Sequence, residues 1–281
     1  MLVILFRLLS KWPLCGLHTT GTLLGWLVYF LSPSYRRRLT DNIGRAGHAA
    51  HRRAAVGESG RSAFELPFIW CAPQSRVLAT ATVENWELAQ AALDRGRGVI
   101  FLTPHLGCFE IIAQAIAART PLAALYRPPR KAALKPLMEQ ARARNNLSLA
   151  PANLAGVRTL LKTLRKGMAV GLLPDQVPQQ GEGVWADFFG KPAYTMTLPA
   201  KLHLMTGAPI ILSYAERLPH GGGYVIRFVP FEQPLGDTPQ QQARAINAAM
   251  EQLIARCPAQ YFWSYNRYKS PAGVAGPEEN R

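Results

Sequence analysis

Acidic residues are scarce in this chain, and its cysteines are few and scattered. Asp and Glu number 17 against 32 Lys and Arg, which leaves a formal charge of +15. Such an excess favours a polyanionic partner, whether nucleic acid, an anionic bilayer surface, a phosphorylated lipid or an acidic carrier protein. Zinc-ligand spacings, a helix-turn-helix pattern and an RNP-like aromatic strand are all missing, so no nucleic-acid partner is expected. Cys15, Cys71, Cys108 and Cys257 form no C-x-x-C and lack the density of a disulfide scaffold, which leaves them as free thiols. No G-x-S-x-G elbow is present for a serine hydrolase. No His or Cys grouping has metal-ligand spacing, so neither a metal nor a redox cofactor is expected. Apolar residues, by contrast, are plentiful: 281 residues, 48% hydrophobic and 17% charged, suffice for one α/β domain with a full core.

The N-terminal stretch MLVILFRLLSKWPLCGLHTTGTLLGWLVYFLSPS is apolar, broken by Arg7, Lys11 and Pro13 and followed by Arg36-Arg37-Arg38. A cleaved signal peptide carries its positive charge before the apolar run, not after it. Residues 13–31 approach the length of a bilayer span, but His18, Thr19, Thr20 and Thr22 weaken the run, leaving a shallow or re-entrant anchor open beside a full span. In either geometry the arginines would meet anionic headgroups on the cytoplasmic side. A buried helix pair of a soluble protein is the alternative. The expected organisation is an anchor at 1–35, a single domain at 36–270 and a flexible tail at 271–281.

Beyond the anchor the pattern is helical to about Ala81, and helices and strands then alternate. Helices are expected at Glu84–Arg95, Glu110–Ala118, Leu134–Asn145, Val157–Lys166, Leu198–Met205 and Pro239–Arg256. Strands are expected at Val99–Thr103, Ala123–Tyr126, Met168–Leu173, Pro209–Ala215 and Tyr224–Phe231. Short continuous apolar runs such as Val99-Ile100-Phe101-Leu102 mark fully buried strands. The alternation predicts an α/β fold, a mixed sheet covered by helices.

Chemistry is concentrated in His105-Leu106-Gly107-Cys108-Phe109-Glu110, directly after a buried strand. Five positions bring two side chains to one face in neither a helix nor a strand, so His105 and Glu110 can meet only across a turn, with Gly107 as its corner. A Glu in the first turn of the next helix could accept from Nδ1–H and leave Nε2 free as a general base. A histidine satisfied by a carbonyl, and a Glu placed to favour a helix N-terminus, is the structural alternative. Cys108 reads as a small buried filler rather than a nucleophile.

The segments VIFLTPHLGCFE, YRPPR with RAR, LLPDQ, FFGKPAYTMTLPAKL and PAQYFWSYNRYK, in that order, resemble the bacterial lipid A late acyltransferases, which belong to a lysophospholipid acyltransferase-like superfamily. The resemblance runs from about residue 1 to 270. It implies a catalytic H-x4-D/E pair, here His105 and Glu110, and an anchor on the cytoplasmic face of the bacterial inner membrane. The implied donor is an acyl carrier protein or coenzyme A thioester, and the acceptor a glycolipid.

Arg142 matches a family position associated with the active site, where a guanidinium could meet a thioester oxyanion or an acceptor phosphate. Backbone N–H groups near Glu110 are the other source for the oxyanion. Gly107, Arg127, Arg144 and Asp175 are the candidate substrate-binding residues, Asp175 as a partner of Arg142 or of a substrate hydroxyl; Arg130, Lys131 and Lys135 add to the local charge. Two departures leave the acceptor open: Cys108-Phe109 stands where the family usually has Asn-Trp, and Ser264-Tyr265-Asn266 where a His-Arg pair is common. A glycerolipid, lysophospholipid or amino-lipid acyltransferase is the second reading, and a non-catalytic basic membrane-binding protein the third.

Overall fold

The computed structural model describes residues 2–127 and 146–277. Two N-terminal helices, α1 (Leu2–Leu9) and α2 (Leu14–Leu31), lead into α3 (Pro33–Arg45), α4 (Arg52–Phe64), α5 (Leu66–Cys71) and α6 (Gln74–Leu78). Strand β1 (Ala81–Glu84) and α7 (Trp86–Leu93) come next, then β2 (Val99–Leu102), α8 (Phe109–Ala117) and β3 (Leu122–Tyr126). After the undescribed stretch follow β4 (Leu147–Pro151), α9 (Leu154–Arg165) and β5 (Ala169–Leu172). The chain closes with β6 (Gly183–Phe188), β7 (Lys191–Met196), α10 (Leu198–Thr206), β8 (Ile210–Arg217), β9 (Tyr224–Pro230) and α11 (Pro239–Arg256).

The main sheet has seven strands in the order β1-β9-β8-β2-β5-β3-β4. Every pairing is parallel except β8 with β9, so the expected mixed sheet is present. All four residues of β2 are buried, as its unbroken apolar run demands of a strand covered on both faces. One core cluster joins α9, α10 and α11 to one side of the sheet. A second joins α5, α7 and α8 to the other, with Leu14 and Leu17 of α2.

The helices and strands expected on the described residues after Ala81 are all present, most with ends within two residues of those expected, and several further elements were not foreseen. Helix α11 runs from Pro239 to Arg256 as expected, opened by a capping box between Thr238 and Gln241. Strands β1 and β4 and the β6–β7 hairpin are additions. The hairpin turns on Phe189 (φ 47°) and Gly190 (φ 69°), two left-handed residues as a tight two-residue connection requires. A left-handed Phe is costly; here its ring packs on Phe188, His48 and Trp263, and its N–H donates to Glu251. The tail expected to be flexible from residue 271 is held at two points, Gln180 donating to the Gly273 carbonyl and Trp185 to that of Ala275. The helix expected at Leu134–Asn145 lies outside the described residues.

Helix α2 is, among the described residues, the helix long and apolar enough to cross a bilayer by length and composition. It is also docked. Its buried stripe, Leu14, Leu17, His18, Gly21 and Gly25, recurs every three or four positions and lies on α4. There the backbones touch: a Cβ on Gly60 would sit 1.9 Å from the Gly21 carbonyl oxygen, and one on Gly25 would sit 2.5 Å from that of Val56. Polar contacts close the seam. His18 hydrogen-bonds Glu65 and Arg61 donates to Thr22. Glu65 is itself paired with the buried Arg217, which also meets Glu58. Burial would raise the Glu65 pKa, but the adjacent Arg217 and His18 hold it down at about 2. The other face of α2 presents Leu23, Leu27, Val28, Phe30 and Leu31 to the exterior.

Candidate active site

Neighbouring strands β2 and β5 run parallel and in register, Leu102 opposite Leu172. Both leave the sheet in the same way. Pro104 and Pro174, two positions further on, have no N–H to continue a ladder, and the next residues are His105 and Asp175. In-register exits carry these two side chains to the same height above the carboxyl ends of the strands, where open α/β sheets take their ligands.

His105 Nδ1 lies 2.8 Å from Asp175 Oδ1, and the backbone N–H of His105 donates to Asp175 Oδ2 at 2.9 Å. One carboxylate therefore fixes both the ring and the main chain. Asp175 is buried. Burial would raise its pKa, but the charge and hydrogen bonds of His105 outweigh that and hold it below the ordinary carboxylate value. An ionised carboxylate only accepts, so Nδ1 carries a proton, and in the neutral ring Nε2 holds the lone pair. Gln176 matches this tautomer, its Nε2 lying 3.1 Å from His105 Nε2 and donating to it.

The sequence expectation placed Glu110 on Nδ1–H; that position belongs to Asp175. Glu110 stands in the first turn of α8, where its Oε2 accepts from Trp70 Nε1 at 3.1 Å. Asp175 reaches the ring from the adjacent strand exit, which leaves no room on Nδ1 for a second acceptor. Glu110 nevertheless lines the same cavity as His105. Asp175 orients the histidine; its expected partner Arg142 lies outside the described residues.

The loop between them is held on both sides. Gly107 N–H donates to the Gln260 carbonyl, Cys108 N–H to that of Ala215, and Phe262 N–H to that of His105. Gln260 is clamped in turn by two hydrogen bonds to the Arg217 backbone. Gly107 has φ +59°, and a Cβ there would sit 1.8 Å from the Ala215 carbonyl oxygen, so close backbone approach requires glycine at this position. Cys108 is buried, and burial with the nearby Glu65 carboxylate pushes its thiol well up. A thiol so placed is no nucleophile at neutral pH.

A cavity of about 260 Å³ opens from this loop. His105, Glu110, Gln176 and Arg127 form its polar end, and Ala113, Ala124, Leu147 and Leu149 form apolar walls from α8, β3 and β4. Arg127 donates to the Val177 carbonyl and pairs with Glu182. Arg142 and Arg144, like Arg130, Lys131 and Lys135, lie outside the described residues. Gln176 and Trp70 were not singled out from sequence. Gln176 sat beside Asp175 in LLPDQ, where its proximity was the available signal; Trp70 had only an aromatic-rich stretch around it.

The family model for bacterial lipid A biosynthesis acyltransferases matches residues 2–270. A lipid A biosynthesis palmitoleoyltransferase of Escherichia coli is 27% identical over 231 residues, covering 80% of this chain and 75% of its own. A lauroyltransferase of lipid A biosynthesis from the same organism is 27% identical over 218 residues, covering 76% and 71%. A lipid A biosynthesis acyltransferase of Haemophilus influenzae is 30% identical over 186 residues, covering 64% and 56%. Since the match spans nearly the whole chain, the site included, this protein belongs to the bacterial lipid A biosynthesis acyltransferase family.

Proposed function

We propose that this chain moves a fatty acyl group from a thioester, carried by acyl carrier protein or coenzyme A, to a hydroxyl of a lipid A precursor or related glycolipid. The observation that carries this reading is the base-ready His105, its Nδ1 on Asp175, at the polar end of a cavity with apolar walls. An acceptor hydroxyl would displace the Gln176 amide from Nε2. Nε2 then takes the proton as the oxygen attacks the thioester carbonyl, and Asp175 stabilises the imidazolium. The tetrahedral oxyanion would be met by N–H groups at the start of α8, by the displaced Gln176 amide, or by Arg142. As the intermediate collapses, the C–S bond breaks and the imidazolium returns its proton to the departing thiolate. Glu110 faces the same cavity and would receive a hydrogen bond from the acceptor. The acyl chain would lie along Ala113, Ala124, Leu147 and Leu149.

The proposed location is the cytoplasmic face of the inner membrane, with the outer faces of α1 and α2 in the lipid interface and Arg36-Arg37-Arg38 at anionic headgroups. The test is direct: purified protein is given an acyl thioester with a phosphorylated disaccharide lipid or a lysophospholipid, and products are read by mass spectrometry. Acylated disaccharide that disappears with folded His105→Ala supports the reading. Transfer to the lysophospholipid alone would replace the acceptor, and undiminished transfer by His105→Ala would end the mechanism.

A further inference from the structure

The segment after α11 touches both strand exits that carry the site. Phe262 N–H donates to the His105 carbonyl after β2, and three residues later the Tyr265 hydroxyl accepts from Val177 N–H after β5 at 3.1 Å. Both main-chain polar groups of Val177 go to side chains, its carbonyl accepting from Arg127, and Pro178 follows with no N–H to offer. The peptide held by Tyr265 joins Val177 to Gln176, whose side-chain amide donates to His105 Nε2 at 3.1 Å. Tyr265 is fixed in turn. Its carbonyl accepts from the Asn42 side chain of α3 at 2.9 Å and from Arg267 N–H at 3.0 Å, and Asn42 also donates to the Trp263 carbonyl at 2.7 Å. The Tyr265 ring lies 6.4 Å from that of Phe262, which lies 6.4 Å from the His105 ring.

We propose that Tyr265 is a positioning residue for the base: with Phe262 it clasps the exits of β2 and β5, and through the Gln176–Val177 peptide its hydroxyl keeps the Gln176 amide on His105 Nε2. The clasp is a matter of geometry alone; its effect on turnover rests on the acyl-transfer reading. Asp175 sets the Nδ1 side of the ring directly. The Nε2 side depends on a long side chain whose main chain lies outside any helix or strand, and such a side chain keeps its aim only where its backbone is held. When an acceptor hydroxyl takes Nε2, the same amide is left beside the reacting oxygen, where a misplacement of about 1 Å can cost on the order of a hundredfold in rate.

The experiment is a double-mutant cycle of Tyr265→Phe, which removes only the hydroxyl, with Gln176→Ala, read as kcat and KM for acyl transfer. Tyr265→Phe should keep the wild-type circular dichroism spectrum and both KM values, and lose about tenfold to a hundredfold in kcat. In the Gln176→Ala background it should lose almost nothing more, because the two residues act through one contact. A purely structural tyrosine gives losses that multiply, and that result would overturn the proposal. A second readout needs no turnover: diethyl pyrocarbonate acylates an unprotonated ring nitrogen, and peptide mapping by mass spectrometry reports its rate at His105. With the amide cap loosened, His105 should react faster than wild type in Tyr265→Phe and in Gln176→Ala, to the same degree. Acceleration in Gln176→Ala alone, or in neither variant, would also overturn the proposal. Matched acceleration without transfer from any thioester leaves the clasp standing and removes the acyl-transfer reading. Transfer with multiplying losses does the reverse.

Discussion

At the level of single residues, the site depends on which carboxylate holds His105. Position alone marked the histidine, since it follows a fully buried strand in the loop where such sheets bind ligands. Asp175 was visible too, after its own buried strand, but was assigned to a different partner. What the chain does not spell out is that β2 and β5 are neighbours in register, and without that fact two residues seventy positions apart have no reason to meet. Glu110, five positions away, was the nearer acid and the wrong one for Nδ1. The difference is measurable. Asp175→Asn keeps the shape, but its amide can present N–H to the ring and favour the tautomer with Nε2 protonated. We expect a loss of roughly three to four orders of magnitude in kcat, as for the equivalent change in a serine protease triad, with KM and the circular dichroism spectrum little altered. Glu110→Gln should lose less. If Glu110→Gln proves the more damaging to kcat, Asp175 is not the residue that sets the base.

Among the elements, the legible ones were those with one unambiguous pattern. Continuous apolar runs gave β2 and β5, and a long helical run gave α11. The unforeseen ones lack such a pattern. Strand β1 is four residues long and only partly buried, and the β6–β7 hairpin turns through a phenylalanine whose conformation depends on rings far away in sequence. Helix α2 carried a message that was read too narrowly. Its apolar residues suggested an anchor, but its glycines and His18 serve contact with α4, and Phe6 of α1 stacks on Trp70, which holds Glu110. The N-terminal helices thus brace the wall of the candidate cavity. Gly60→Ala should force the α2 and α4 backbones apart and cost on the order of 2 kcal/mol or more, seen as a lowered Tm. Gly44→Ala, whose Cβ would meet nothing within 4 Å, should be neutral or stabilising, since alanine is the better helix former. An equal Tm for the two variants would mean that α2 is not part of the folded domain.

For the whole molecule, charge and apolar surface act on the same side of the chain. Leu23, Leu27, Phe30 and Leu31 of α2 and Ile4, Leu5 and Leu8 of α1 are exposed, and the exposed Arg36, Arg37 and Arg38 follow directly. Because α2 is docked on α4 along one face, only the opposite face is available to lipid, and it suits a helix lying in the interface. The two contributions respond differently to salt. Attraction of arginines to anionic headgroups, about 1 kcal/mol each near the surface, is screened within a Debye length, whereas burial of leucine and phenylalanine in acyl chains is not. Vesicles containing anionic phospholipid should therefore bind the full chain strongly at low salt and retain part of it at high salt. Replacing Arg36, Arg37 and Arg38 with Gln should remove mainly the salt-sensitive part. Leu27→Glu with Phe30→Glu should remove mainly the salt-resistant part while leaving Tm unchanged, since neither side chain is buried. Cosedimentation measures both. Undiminished high-salt binding by the Leu27/Phe30 variant would place the lipid contact elsewhere on the molecule.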